Sequence, residues 1–285
     1  MTAPLGLVAG SGRLPFEVAG AARDRGQRVA VVAILDHTDP AIAGLASAGL
    51  VWLAPGELGR MIDFMHAAGA REVIFAGAIA KREMLRDPGR LHPDARALAA
   101  LARLQGRGDD AILRAVAGEL ESEGLQVVSS TRHLGKRLTP EGPLTAGALA
   151  PALLADLALG LRVARTLGAC DVGQSVVVRD GVVLAVEALE GTDAALRRGA
   201  ELGGPGAVLV KTAKPGQDLR FDLPVIGPET VAVARECALR AIGLEAGRTL
   251  VLDRERALAA ASAAGIAVVG LAGAFEVGRA EEAGA

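Results

Sequence analysis

Leu5-Gly-Leu-Val-Ala9 followed by Gly10-Ser11-Gly12-Arg13-Leu14-Pro15 decides how the rest of the chain is read. The first five residues are uninterrupted and apolar, which predicts a strand. The glycines predict the turn after it, and Pro15–Arg25 carries a helical period that stops at Gly26. The same alternation continues outward. Val29–Leu35 reads as a second strand ending at Asp36, Leu58–Ala68 as a helix stopped by Gly69, and Glu72–Ala76 as a third strand. Helical patterns follow at Asp94–Leu104 and Asp110–Glu123, then a strand at Leu125–Ser129. Strands alternating with helices predict a parallel sheet covered by helices, here Rossmann-like.

From Thr131 to Thr145 the chain turns polar and irregular, with Pro140, Gly142 and Pro143, and reads as a linker. A helix is expected at Leu153–Leu167. Val176–Val178 and Val182–Ala188, joined through Asp180-Gly181, predict a β-hairpin. A helix at Thr192–Leu202 and a strand at Ala207–Lys211 follow. Thr230–Ile242, Leu250–Asp253, Glu255–Ala264 and Ile266–Val269 complete another α/β pattern. The expected fold is therefore two α/β domains: residues 1–132, a linker over 133–148, and residues 149–285.

Composition agrees. The 285 residues exceed one typical domain of roughly 100–200 residues. Apolar residues at 51% and charged residues at 22% argue for packed cores over disorder. A net charge of −2 and 2% aromatics leave neither a cationic field nor a base-stacking platform, so a nucleic-acid partner is not expected. Cys170 and Cys237 make no disulfide framework; both read as buried small apolar residues in a cytoplasmic protein. The amino terminus does not read as a secretory signal. The uncharged stretch Ala257–Phe275 is divided by Gly265 and Gly270 and reads as helix end, strand and loop, not as a membrane span.

Several loops could carry chemistry. Gly10-Ser11-Gly12 between strand and helix would aim backbone N–H groups at an anion, although an ordinary glycine-rich turn looks the same. Asp36 stands where a dinucleotide fold would hold a ribose, but Pro15 occupies the third glycine position of that fingerprint. Lys81 and Arg82 follow the third strand and could neutralise phosphate. Asp109 and Asp110 precede a helix, where capping explains only one of them. Thr192 and Asp193 open another helix, with Glu187 and Glu190 just upstream; carboxylates at a strand end are also how Mg²⁺ is held. The four histidines form no metal-ligand pair or catalytic triad and read as structural or exposed.

The densest segment is Lys211-Thr-Ala-Lys214-Pro-Gly-Gln217-Asp218-Leu-Arg220-Phe-Asp222-Leu-Pro224. From Asp218 to Leu223 it alternates polar and apolar, which predicts an extended chain with Leu219, Phe221 and Leu223 facing the core. Extended, Asp218 and Asp222 would lie ~13 Å apart and could not share one metal ion unless the chain bends. One of them would then work with a carboxylate from the Glu187–Asp193 region. Asp222 is favoured for chemistry because the strand must end near Pro224. Lysines and carboxylates together suit phosphate chemistry assisted by Mg²⁺.

These motifs together, from Leu7-Val-Ala-Gly10-Ser-Gly-Arg-Leu-Pro15 through Gly108-Asp-Asp110 and Glu190-Gly-Thr-Asp193 to Lys211–Gly227, resemble the LpxI family over nearly the whole chain. The family are UDP-2,3-diacylglucosamine diphosphatases of lipid A biosynthesis. The resemblance implies cleavage of the pyrophosphate to 2,3-diacylglucosamine 1-phosphate (lipid X) and UMP. Water would attack the α-phosphorus, with Mg²⁺ or Mn²⁺ required and substrate bound between two domains. It implies Asp222 as the catalytic aspartate and a metal ligand, with Asp193 as the second ligand. Lys211 and Lys214 would hold phosphates, Gln217 and Asp218 would order the loop, and Gly10, Ser11, Gly12 and Lys81 would face the nucleotide. Asp109, Asp110 and Thr192 join the expected substrate-binding set. The substrate's lipid tails suggest transient contact of this cytoplasmic protein with the inner membrane surface, and a homodimer is a further expectation. The competing readings are a nicotinamide-dependent oxidoreductase, from Gly10, Gly12 and Asp36, and a non-catalytic sugar-nucleotide-binding protein.

Overall fold

A computed structural model describes residues 2–79, 91–103, 109–147, 149–221 and 223–272. The chain divides into two compact units. One comprises Met1–Lys136 with Gln217–Asp222, the other Arg137–Gly216 with Leu223–Ala285.

In the first unit, strands β1 (Leu5–Ala9), β2 (Val29–Ile34), β3 (Leu50–Leu53), β4 (Glu72–Ala76) and β5 (Gln126–Val127) form one sheet in the order β3-β2-β1-β4-β5. Every pairing in it is parallel, with Leu5 opposite Val29 on one side and Glu72 on the other. β1 and β2 are buried at every residue, as continuous Val/Leu/Ala runs in a sheet covered on both faces should be. Helices α1 (Leu14–Asp24), α2 (Leu58–Ala67), α3 (Ala95–Ala102) and α4 (Asp109–Ser122) connect them. The order 3-2-1-4-5 is that of a doubly wound, Rossmann-like sheet. Strand β3 is the one element of this sheet that the periodicity does not announce: Leu50-Val-Trp-Leu53 is short and only Leu53 is fully buried.

Two βα turns of this sheet are locked together. Gly10 donates its N–H to Ala76 O at 2.8 Å and Ser11 donates to Ala78 O at 2.8 Å, while the Ser11 hydroxyl also donates to Ala78 O. A Cβ on Gly77 would lie 2.4 Å from Ser11 O, and Gly77 has φ +87°, so glycine is required there on both counts.

In the second unit, β6 (Gly142–Pro143), β7 (Ser175–Arg179), β8 (Val182–Val186), β9 (Val208–Lys211), β11 (Ala241–Glu245) and β13 (Ala267–Leu271) form a sheet in the order β6-β13-β11-β9-β7-β8. Its centre, β13-β11-β9, is parallel; β6, β7 and β8 run antiparallel to their neighbours. A separate parallel pair joins β10 (Val225–Ile226) and β12 (Leu250–Val251). Helix α6 (Pro151–Ala169) covers one face, where Leu157, Leu161 and Ala164 meet Val176, Val178, Val208 and Val210. Helices α7 (Thr192–Gly203), α8 (Pro228–Glu236) and α9 (Arg254–Ala263) cover the other, where Leu196, Val231 and Ala257 meet Val177, Leu209 and Ile242. The run Thr230–Ile242 is therefore most of a helix plus the first residues of β11. The Asp180-Gly181 hairpin turn is left-handed at both positions (φ 50° and 75°), and the buried Asp156 carboxylate accepts both N–H groups at 2.9 and 2.7 Å.

The residues read as a linker are ordered differently. Thr131–Leu134 is a short helix, α5, followed by a 3₁₀ turn at Gly135–Arg137, and Gly142–Pro143 is an edge strand, where proline is tolerated. Cys237 is buried as expected, and burial pushes its thiol pKa up. Cys170 corrects its reading, because it caps the exposed carboxyl end of α6. No described helix is long and apolar enough to cross a membrane.

Candidate functional site

The segment Asp218–Phe221 is a turn, not the extended strand its alternation predicts. The Phe221 N–H donates to Asp218 O at 3.1 Å, and the Asp218 carboxylate accepts from the Arg220 N–H, Nε and Nη2 at 3.0, 3.0 and 2.7 Å. A short aspartate closing on the backbone two residues ahead favours such a turn over a strand. Phe221 and Leu223 nevertheless point inward, as alternation requires. Phe221 meets Phe75 edge-on at 6.0 Å within the first unit's core. Burying such a ring contributes roughly 1.5–3 kcal/mol, which helps explain why this short segment belongs to the first unit. Ser129 donates to Leu219 O at 3.1 Å, and Arg220 reaches Glu121 at 2.7 Å. The extended backbone assumed for the ~13 Å separation is not the one Asp218–Phe221 adopts; Asp222 itself lies outside the described residues.

The Arg220 guanidinium holds the Asp218 carboxyl below the usual aspartate range, and Asp218 raises Arg220 in return. A depressed carboxyl contributes stability that is complete above its unfolded value, ~3.9, and is lost as pH falls through the lower folded value. The amide resonances of Leu219–Phe221 are therefore expected to keep their native positions down to pH ~4 and move only below it. In Asp218→Asn those positions should be pH-independent through the same range. A wild-type midpoint at or above the ordinary value would contradict the pairing.

The second unit gathers polar side chains at one edge of its sheet. Lys211 ends β9, Glu245 ends β11, and Ser175 begins β7 opposite Lys211 because β7 runs the other way. Glu187 follows β8 and donates its N–H to Ser175 O at 2.8 Å. This is the carboxyl edge of the parallel strands, where open α/β sheets bind ligands. Lys211 is 6% exposed, Glu187 8% and Thr212 fully buried. Lys211 Nζ donates to Thr192 Oγ1 at 2.9 Å, and Thr192 donates to Glu187 Oε1 at 3.1 Å. Glu187 Oε2, Thr212 Oγ1 and Gln174 Oε1 are buried without a protein partner. Buried polar atoms seldom stay unpaired, so this edge is built to receive something.

Other expected residues are placed as follows. Lys214 pairs with Asp171 at 2.5 Å. Asp193 is exposed in the first turn of α7, where the helix dipole favours a carboxylate. Glu190 is occupied by Arg198 at 2.6 Å and the Ala188 N–H at 3.1 Å. Gln217 is half-buried beside Asp218. In the first unit, the Gly10 and Ser11 amides are spent on Ala76 and Ala78, which corrects their reading as anion donors; Gly12 has φ +86°, and a Cβ there would meet nothing within 4 Å. Asp109 and Asp110 open α4, but their side chains, like Lys81 and Arg82, lie outside the described residues.

Sequence reasoning missed Glu245, Arg165 and Thr38. Glu245 is 4% exposed, accepts from Arg165 at 2.8 Å and takes the Ala213 N–H at 2.9 Å, tying down the loop after Lys211. A lone Glu closing the apolar run Ala241–Leu244 was the available signal. Thr38 is buried, accepts from the Ile34 N–H and donates to Ala9 O, bridging the ends of β1 and β2. A threonine two residues past Asp36 gives no such signal. Among the described residues, no three His, Cys, Asp or Glu side chains gather as a metal cage.

Residues 4–137 match the LpxI N-terminal domain, and residues 140–269 match the LpxI C-terminal domain. The chain is similar to the UDP-2,3-diacylglucosamine pyrophosphatase LpxI of Caulobacter vibrioides (strain ATCC 19089 / CIP 103742 / CB 15), with 40% identity over 94% of this chain and 97% of the relative. Among solved structures, the biotin carboxylase subunit of pyruvate carboxylase aligns with 71% of this chain and 43% of its own, at 15% identity and a TM-score of 0.23.

Proposed function

The chain belongs to the LpxI family, and from that membership we propose that it is a hydrolase that cleaves the pyrophosphate of UDP-2,3-diacylglucosamine to lipid X and UMP. The observation that carries the reading is the match of both domains along nearly the whole chain. The buried Lys211–Thr192–Glu187 edge supports it, since a desolvated ammonium beside unpaired acceptors suits a diphosphate and the water that attacks it.

Within this reading Lys211 donates to a phosphate oxygen, and Lys214, paired with Asp171, is the second lysine assigned to the phosphates. Thr192 fixes the direction of the Lys211 ammonium. Gln217 and Asp218 order the turn that precedes Asp222, and Asp222 orients the attacking water and accepts its proton. Gly12 and Lys81 are assigned to the nucleotide, and the Asp109-Asp110 pair to substrate. The P–O–P bond breaks as the new P–O bond forms, with UMP and the lipid phosphate as the two products.

The donor set fits a Mg²⁺ or Mn²⁺ ion only in part. Mg²⁺ needs one or two carboxylates, with phosphate and water completing its shell. Asp222 and Asp193 are the proposed carboxylates, and Glu187 Oε2, buried and unpaired, is an acceptor of the kind a metal-bound water requires. Such an ion supplies neutralisation of the diphosphate and a more acidic water. Transient contact with a membrane surface follows from the acyl chains of the substrate.

Purified protein should release UMP and lipid X in equal amounts, and EDTA should stop the release until Mg²⁺ or Mn²⁺ is restored. Turnover in H₂¹⁸O locates the attacked phosphorus. Label in UMP supports attack at the α-phosphorus, the expectation carried from the sequence; label in the lipid phosphate overturns it. Absence of UMP, with tight NADH binding instead, would favour the oxidoreductase reading, and UDP-sugar binding without product would favour a binding protein.

A further inference from the structure

The connection from β8 to α7 holds two carboxylates and the first turn of α7 a third, and the structure separates them. Glu190 is committed to Arg198 and the Ala188 N–H. Asp193 is exposed. Glu187 is 8% exposed, and its backbone is clamped: its N–H bonds Ser175 O, and a Cβ on Gly173 would lie 1.9 Å from Glu187 O.

Thr192 has one hydroxyl hydrogen. It goes to Glu187 Oε1 at 3.1 Å, so the Lys211 ammonium at 2.9 Å and the Ser175 hydroxyl at 3.3 Å both donate to the threonine oxygen. A buried cation and a buried anion are thus joined through one neutral hydroxyl that each polarises, which strengthens both bonds. Without Glu187 the Thr192 hydrogen has no fixed direction, and Lys211 loses its oriented acceptor. We propose that Glu187, acting through Thr192, is the positioning residue that aims the Lys211 ammonium. The functional half of this proposal rests on the pyrophosphatase reading above; the hydrogen-bond half does not.

The test pairs turnover with a spectroscopic signature. Lysines occur only at positions 81, 136, 211 and 214, so ¹⁵N-lysine labelling gives few side-chain signals. The buried, hydrogen-bonded Lys211 ammonium should be protected from solvent exchange and visible at neutral pH in wild type and in Thr192→Ser. It should vanish in Thr192→Val and Glu187→Met, which keep approximate side-chain shape but remove the hydroxyl and its acceptor. With UDP-2,3-diacylglucosamine, kcat should fall about 10- to 100-fold in both of those variants, the size of one charge-assisted hydrogen bond, with KM changed less than about threefold. Thr192→Ser should restore most of kcat. A protected Lys211 signal in Thr192→Val, or an unchanged kcat in both variants, overturns the proposal. If wild type releases no UMP while the signals follow this pattern, the pyrophosphatase reading falls and the relay stands.

Discussion

Asp222→Ala is expected to lower kcat for UMP release by about 10²- to 10⁴-fold, the range for losing a group that positions and deprotonates water. Thermal midpoint and substrate binding should stay near wild type. The argument for Asp222 over its neighbour comes from what the neighbour does. Asp218 spends its carboxylate on three Arg220 groups, and Arg220 is drawn to Glu121 as well. An aspartate neutralised this way stabilises a turn and is a poor base. Asp218→Ala should therefore loosen the Leu219–Phe221 turn with a much smaller effect on the chemical step. Turnover of Asp222→Ala within twofold of wild type would remove it from the mechanism, even with the reaction itself established.

Glu245→Ala should lower stability by about 2–4 kcal/mol, below or within the usual cost of breaking a buried pair because Arg165 is 31% exposed and can reach water. The loss has two parts. The Arg165 guanidinium is left without its anion, and the buried Ala213 N–H without an acceptor. Urea unfolding measures the first consequence. The second appears in turnover: the Ala213 bond fixes the backbone two residues after Lys211, so kcat should fall together with stability. Glu245→Gln retains one acceptor and should lose less of both. A Glu245→Ala protein with unchanged urea midpoint would show that the pair is energetically idle.

Much of the fold was legible along the chain because it is local. Leu5–Ala9 and Glu72–Ala76 have the bounds expected of them, and the helix at residues 58–67 ends within one residue of its expected stop. Apolar runs and glycine stops act over a few residues, and so does the Asp180-Gly181 turn, which needs left-handed backbone at both positions. The alternation from Asp218 to Leu223 misled because two signals coincide there: inward apolar side chains, which are real, and extended backbone, which the Asp218 carboxylate overrides by pairing with Arg220. The Gly10-Ser11 reading failed for a similar reason. The glycines do give a tight turn, but a second turn, Gly77-Ala78, takes its amides.

From its residues alone this chain fixed two α/β halves and a basic, acidic loop following Lys211, since periodicity and turn chemistry are written in consecutive positions. Tertiary structure alone decided which of those charges meet. Ser175, Glu187, Thr192 and Lys211 converge because β7 runs antiparallel to β9, and Glu245 reaches Ala213 because β11 lies beside β9 in register. Such partners are chosen by strand order and burial, which force distant polar groups to satisfy one another once water is excluded.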